Sequence, residues 1–257
     1  MKHLYNHEFY VDRNKNTRYA AGKVMDILGG CIAFQSVVDV GGGVGTWLKA
    51  AQKKFGIASK NVLLLEGDYV ESKLLQIPKK QWIPCNLEER FRVERRFDLA
   101  ISLEAAEHLS ENRAESFCED LTRLSDVILF SAAVPFQSGN GHINEQRLSY
   151  WVRLFEKCQY EAFDIVRPLI QHDSEIPSWY RQNIVVFVKK GTSEYSAFIS
   201  KHKNLPPLDA ICYDIYLRTE KDLHMLSFYN RYMNISRQFC SFFKKIKNFM
   251  KYMRWER

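Results

Sequence analysis

The sequence predicts an α/β fold: a doubly wound sheet, mostly parallel, with an antiparallel edge pair and a helical C-terminal extension. Three observations predict it. Short runs of β-branched and aliphatic residues alternate with segments of helical period. The first such run, Ser36-Val37-Val38-Asp39-Val40, goes straight into Gly41-Gly42-Gly43. Two late runs, 163–166 and 184–188, follow one another with no helical period between them. Alternating strands and helices imply a parallel sheet covered on both faces, and the late pair reads as an antiparallel edge.

The elements follow in order. Residues 1–35 are a polar lead-in and then a helix, with Tyr19, Ala20, Val24, Ile27 and Leu28 on one face and Gly29-Gly30 as its stop. After the first strand, Leu48, Ala51 and Phe55 set a helix over 46–55. Val62-Leu63-Leu64-Leu65 is a buried-type strand, residues 69–76 a helix, and Trp82-Ile83-Pro84 a short extended piece. Phe97–Ser102 is a strand followed by a helix near 111–124. Val127–Phe130 is a further strand. A glycine-bearing loop, 135–144, leads into a helix over 146–158.

Gly191 ends this body, giving three regions: a lead-in helix (1–35), a ligand-binding domain (36–190) and an extension (191–257). The +7 net charge lies entirely in residues 231–257, where eight basic side chains face a lone Glu256. The remainder holds 29 charges of each sign, which does not fit a nucleic-acid-binding domain with a broad basic face. No stretch of eighteen apolar residues exists, and the N-terminal residues lack a signal peptide's apolar core, so the expected location is the cytoplasm. None of the six cysteines forms a C-x-x-C pair and no histidine is spaced to complete a zinc site, so reduced thiols and no metal are expected.

Ligands of open parallel sheets bind outside the carboxyl ends of the strands. The first such end carries D-x-G-x-G-x-G at Asp39, Gly41, Gly43 and Gly45. Glycines there let backbone approach a ligand where a Cβ would clash, and the next helix points its N-terminal amides at it. The dinucleotide pattern G-x-G-x-x-G, started at Gly41, fails at Thr46, so a ligand without a pyrophosphate fits better. Glu66, which follows the second strand, is placed to accept from both hydroxyls of a ribose, with Asp68 in reserve.

With these residues in place the chain resembles the class I S-adenosylmethionine-dependent methyltransferases. Within them it is similar to a bacterial group associated with surface-polysaccharide and sugar modification. The stretches that carry the resemblance are VVDVGGGVGTWL (37–48), LLLEGDYV (63–70), FDLAISLEAAEHL (97–109), ILFSAAVPFQSGNGHINEQRLSYW (128–151) and WYRQNIVVFV (179–188). The resemblance implies a Rossmann-like fold and S-adenosyl-L-methionine as cofactor. Asp39, Gly41, Gly43 and Gly45 would line its methionine part and Glu66 would hold its ribose. Asn86 stands where the family usually has an Asp on the adenine amine; its carbonyl can accept the same bond.

Methyl transfer from a sulfonium mainly needs alignment, and a hydroxyl acceptor needs a base. His142, in the glycine-flanked loop, is the preferred candidate; His108, after the fourth strand, is the alternative. Glu104, directly after that strand, is a candidate cofactor contact. Asn144, Glu145 and Gln146 suit sugar-like hydroxyls, although Asn144 also reads as the cap of the following helix. Trp179 and Tyr180 suit either stacking on a sugar or packing of the sheet edge. The expected reaction is O-methylation of a sugar or sugar-linked group, such as a phosphoramidate substituent, in capsule or lipopolysaccharide synthesis. The alternatives are an N- or C-methyltransferase on another small molecule and a non-catalytic relative that only binds. The partner is then a small-molecule or saccharide acceptor. Residues 236–257 form one apolar face, from Phe239 to Met253, with lysines off it. This pattern fits packing on protein or peripheral contact with an anionic inner membrane face.

Overall fold

The computed structural model describes residues 7–137, 139–202, 209–210 and 215–229, with backbone alone for 7–16 and 201. The expected amphipathic helix at 236–257 lies outside the described residues. Two compact units divide the chain, 1–212 and 213–257. In the second, residues 215–229 are helical. Among the described residues no helix is long and apolar enough to cross a membrane.

In the first unit seven strands form one sheet. They are β1 (Val37–Val40), β2 (Val62–Glu66), β3 (Trp82–Pro84), β4 (Leu99–Leu103), β5 (Val127–Ser131), β6 (Tyr160–Phe163) and β7 (Val185–Lys189). Their order is β3-β2-β1-β4-β5-β7-β6. The pairs from β3 to β5 are parallel; β7 is antiparallel to both β5 and β6. Among the described residues of this unit the α-helices are α1 (His7–Cys31), α2 (Thr46–Phe55), α3 (Glu111–Leu124), α4 (Leu148–Lys157), α5 (Arg167–Ile170), α6 (Ser178–Asn183) and α7 (Ser193–Lys201).

The strands are apolar on both sides because both faces of the sheet are covered. Val37, Leu64, Ile101 and Leu129 point into a core shared with Val24, Leu28, Leu48, Tyr180 and Phe198. Val38, Leu65, Ala100 and Phe130 point into the opposite core, with Phe117, Leu121, Trp151 and Phe155.

The structure corrects four local expectations. Helix α1 passes through Gly29-Gly30 to Cys31. A Cβ on Gly29 would come within 2.6 Å of Phe55 Cε1, so this glycine serves the packing of α1 on α2 and does not act as a stop. Residues 69–76 form only a 3₁₀ turn at Ser72–Leu74. That segment is instead tied to the first-strand loop, where Gln76 N donates to Val44 O at 2.8 Å. The strand expected at 163–166 ends at Phe163, because Asp164 takes a two-pronged bond from Arg167 (2.9 and 2.6 Å) that opens α5. Helices α5 and α6 then fill the connection expected to lack a helix.

A buried ion pair lies within α3, and its arginine ties that helix to the segment after β3. Arg113 Nη2 donates to Asp120 Oδ2 at 2.5 Å, with side chains 4% and 0% exposed. Arg113 also donates to the carbonyls of Leu87 and Glu89, both at 3.0 Å. Removing one partner strands a buried charge, which typically costs about 3–5 kcal/mol. Asp120→Ala is expected to destabilise the protein by that amount, measured as a fall in the urea midpoint.

Candidate functional site

The carboxyl ends of β1, β2 and β4 open into one cavity of about 870 Å³. It lies where the parallel strands stop and their backbone no longer pairs, as expected for such sheets. Gly41 turns the chain there with φ 76°, and its amide closes on Leu65 O at 2.8 Å. A side chain on Gly42 would overlap the Asp39 carboxylate. The bare backbone therefore leaves room for that acid at the cavity wall.

Asp39 is 1% exposed, and its Oδ2 has no hydrogen-bond partner. Burial, with a smaller push from Glu66, holds its pKa well above the ordinary range. Glu66 is treated differently. Its Oε2 accepts from Gly43 N at 2.7 Å, and its Oε1 accepts from Gly67 N at 2.8 Å and Tyr69 Oη at 2.5 Å. Burial raises its pKa, and these three donors pull it partly back.

Glu104 follows β4 in a left-handed conformation, φ 53°. Such a conformation is strained for a non-glycine residue and persists only where neighbours fix it. Here Ser131 O accepts its amide at 3.0 Å. Gln137 Nε2 and Asn183 Nδ2 donate to its carboxylate at 2.7 and 3.0 Å. Burial raises its pKa against those donors.

The next turn carries Glu107 and His108. His108 lines the cavity. Its Nδ1 lies 3.2 Å from Gly141 O, and a carbonyl can only accept, so Nδ1 carries the hydrogen and Nε2 the lone pair of the neutral ring. His142 lies behind it, the rings edge to face with centroids 4.9 Å apart. His142 Nδ1 is 2.9 Å from Glu145 Oε1.

Of the residues singled out from sequence, Asp39, Gly41, Gly43, Glu66, Asn86, Glu104, His108 and Tyr180 line the cavity. Some of these, and the others, are engaged locally. Gly45 caps α2 in a left-handed turn, with Ile77 packed against it. Asn86 uses its carboxamide locally, donating to Glu89 and accepting from Glu88 N. His142 and Glu145 brace one another, and Glu145 Oε2 also takes the amide of Phe136 at 2.9 Å. Asn144 is not the helix cap, because α4 starts at Leu148 with Arg147 as its cap. Its Oδ1 accepts from Gln146 Nε2 at 3.0 Å, and its backbone N–H donates to Glu107 O at 3.0 Å. Trp179 packs on the core beside Tyr180, and Tyr180 stands edge to face with Trp47 at 5.3 Å.

Sequence reading missed Tyr69, Glu107, Gln137 and Asn183. Tyr69 and Asn183 sit inside the stretches LLLEGDYV and WYRQN. Only the three-dimensional course of the chain makes them partners of Glu66 and Glu104, because Asn183 is 79 residues from Glu104.

No protein-family model matches the chain, and no curated protein matches it. Solved structures do. Streptomyces venezuelae DesVI is similar at 13% identity and a TM-score of 0.51, covering 70% of this chain and 95% of that one. The plantazolicin methyltransferase BpumL in complex with SAH is similar at 13% identity and 0.50, covering 71% and 88%. An O-methyltransferase family protein from Burkholderia thailandensis is similar at 9% identity and 0.50, covering 71% and 57%. The likeness is one of fold: the chain has the Rossmann-like methyltransferase architecture.

A carboxylate whose folded pKa is raised destabilises the fold as pH rises, since the folded state binds the proton more tightly than the unfolded one. Asp39→Asn is therefore expected to leave the stability of the ligand-free protein unchanged below about pH 4, the unfolded value. Above that pH the variant should gain stability over the parent up to the folded pKa of Asp39, as read from paired urea titrations across pH.

Proposed function

We propose that the chain is an S-adenosylmethionine-dependent methyltransferase acting on an oxygen acceptor. The observation that carries this reading is the cavity itself. A bare-backbone turn and two buried carboxylates, Asp39 and Glu66, stand at neighbouring strand ends, with His108 on the same wall. The shared fold supports it, but fold alone does not fix a reaction.

Asp39 offers an unpartnered, desolvated oxygen. It suits the cationic end of the cofactor, which would restore its charged form. Glu66 has three donors on roughly four lone-pair sites, which leaves one on Oε2 for a ribose hydroxyl. Asn86 and Leu87 lie at the end of the cavity formed by the segment after β3 and suit the adenine. When bound, the cofactor supplies an electrophilic methyl group on sulfur, which passes to the acceptor oxygen as the carbon–sulfur bond breaks toward sulfur. His108 would take the acceptor's proton, and it displaces His142 as the preferred base because His108 lines the cavity and His142 does not. The finer reading, a sugar or sugar-linked acceptor such as one carrying a phosphoramidate in surface polysaccharide, is supported by the GHINEQ and WYRQN stretches of the sequence.

Calorimetry is expected to show S-adenosylhomocysteine binding and no heat with NAD. Glu66→Gln should weaken that binding about tenfold or more, since charge-assisted bonds contribute about 1.5–3 kcal/mol. No binding of the nucleoside would remove the reading. In a labelled-methyl screen over nucleotide sugars and capsule fragments, His108→Ala should lower turnover about 10²-fold with cofactor affinity unchanged. Cofactor binding with no transfer to any acceptor would favour a non-catalytic binding protein.

A further inference from the structure

Two residues that the methyl-transfer reading does not use, Glu107 and His142, stand against His108 at the cavity wall. Glu107 is 0% exposed, and neither carboxylate oxygen has a donor at full hydrogen-bond geometry; only the backbone amides of Glu107 and Ala133 stand near enough to favour its charged form. A buried carboxylate without partners is unfavourable unless a proton or a cation joins it.

His142 supplies the second half. Its Nδ1 faces the Glu145 carboxylate, which accepts only, so the neutral ring has its lone pair on Nε2. That Nε2 faces Glu107 Oε1 at 3.9 Å. The distance is too long for a hydrogen bond. It matches the span of roughly 3–4 Å between two ligands of one ion at about 2.0–2.2 Å each. His108 completes the group: one ligand atom from each of Glu107, His108 and His142 lies within 4.8 Å of the others. Each imidazole already has an oxygen on its other nitrogen, Gly141 O for His108 and Glu145 for His142. That outer contact is what fixes the tautomer and ring orientation of metal-bound histidines.

We propose that Glu107, His108 and His142 bind one divalent first-row transition cation, of the Zn²⁺ or Mn²⁺ kind, beside the acceptor end of the cavity. Two imidazoles and one carboxylate suit such ions better than Mg²⁺ or Ca²⁺, which prefer oxygen ligands alone. Three protein ligands leave a position open, as in catalytic sites. Because His108 lines the cavity, that position is available to an acceptor oxygen, and His108 then meets the acceptor through the ion. This last role rests on the methyl-transfer reading; the binding itself does not.

The test uses full-length, tag-free protein stripped with a chelator and titrated calorimetrically with Zn²⁺ and with Mn²⁺, with no nucleoside present. One equivalent of at least one ion is expected to bind. Glu107→Gln and His142→Ala should each weaken it about 100-fold or more, and His172→Ala, an exposed histidine outside the cluster, should not. The ion should also raise the melting temperature of the parent and leave that of the Glu107→Gln variant unchanged. Glu107→Gln is isosteric, and circular dichroism checks its fold. No stoichiometric binding, or binding equal in parent and both variants, would overturn the proposal. Nucleoside binding is measured in a separate titration, so either reading can fail alone.

Discussion

Three carboxylates are buried and a fourth, Glu104, half-buried at the carboxyl edge of one sheet, and keeping them there is the constraint around which this structure is arranged. Asp39, Glu66, Glu104 and Glu107 all have raised pKa values, with burial as the largest cause. Glu66 also acts on Asp39, and Glu104 on Glu107, each pushing its neighbour further. Such a group is tolerable only where donors, a proton or a bound cation offset the lost hydration. The four differ in how they are answered. Glu66 and Glu104 are gripped by amides and side-chain donors. Asp39 keeps one oxygen unpartnered and Glu107 keeps two.

The rest of the fold makes that edge rigid. Both cores close on the central strands, so β1, β2 and β4 hold their ends in fixed register. Loops that are distant in sequence then converge on Glu104: Ser131 from the end of β5, Gln137 from the loop beyond it and Asn183 from α6. Placing β7 between β5 and β6 lets α6 deliver Asn183 there and set Tyr180 on the cavity wall. The Arg113–Asp120 pair does the same for the segment bearing Asn86 and Leu87.

The two ends of the cavity are built differently. The end formed by the glycine turn and Glu66 is made of backbone and short contacts. The end at His108 and His142 is made of a loop held by Glu145, Asn144 and Gln146 on one another and on Glu107. Those three polar residues suit a sugar when seen as a sequence. In the structure the Glu145 carboxylate, Asn144 Oδ1 and Gln146 Nε2 are used inside the loop, bracing the wall that an acceptor would meet.

The sequence by itself determined the alternation of strands and helices, the glycine turn after β1 and the acid ending β2. These are local: a β-branched run, glycines that allow a bare turn and a period of 3.6 are visible in adjacent residues. It also singled out both histidines. Where local signals compete with packing it misled, as at Gly29, where a close helix contact looks like a helix stop, and at 69–76, where the chain is tied to another loop. The tertiary structure alone decided which histidine reaches the cavity, that Asn183 and Gln137 hold Glu104, and that Glu107, His108 and His142 share one place. Those relations span up to 79 residues. They depend on burial and on which strand ends lie side by side, which only the folded chain sets.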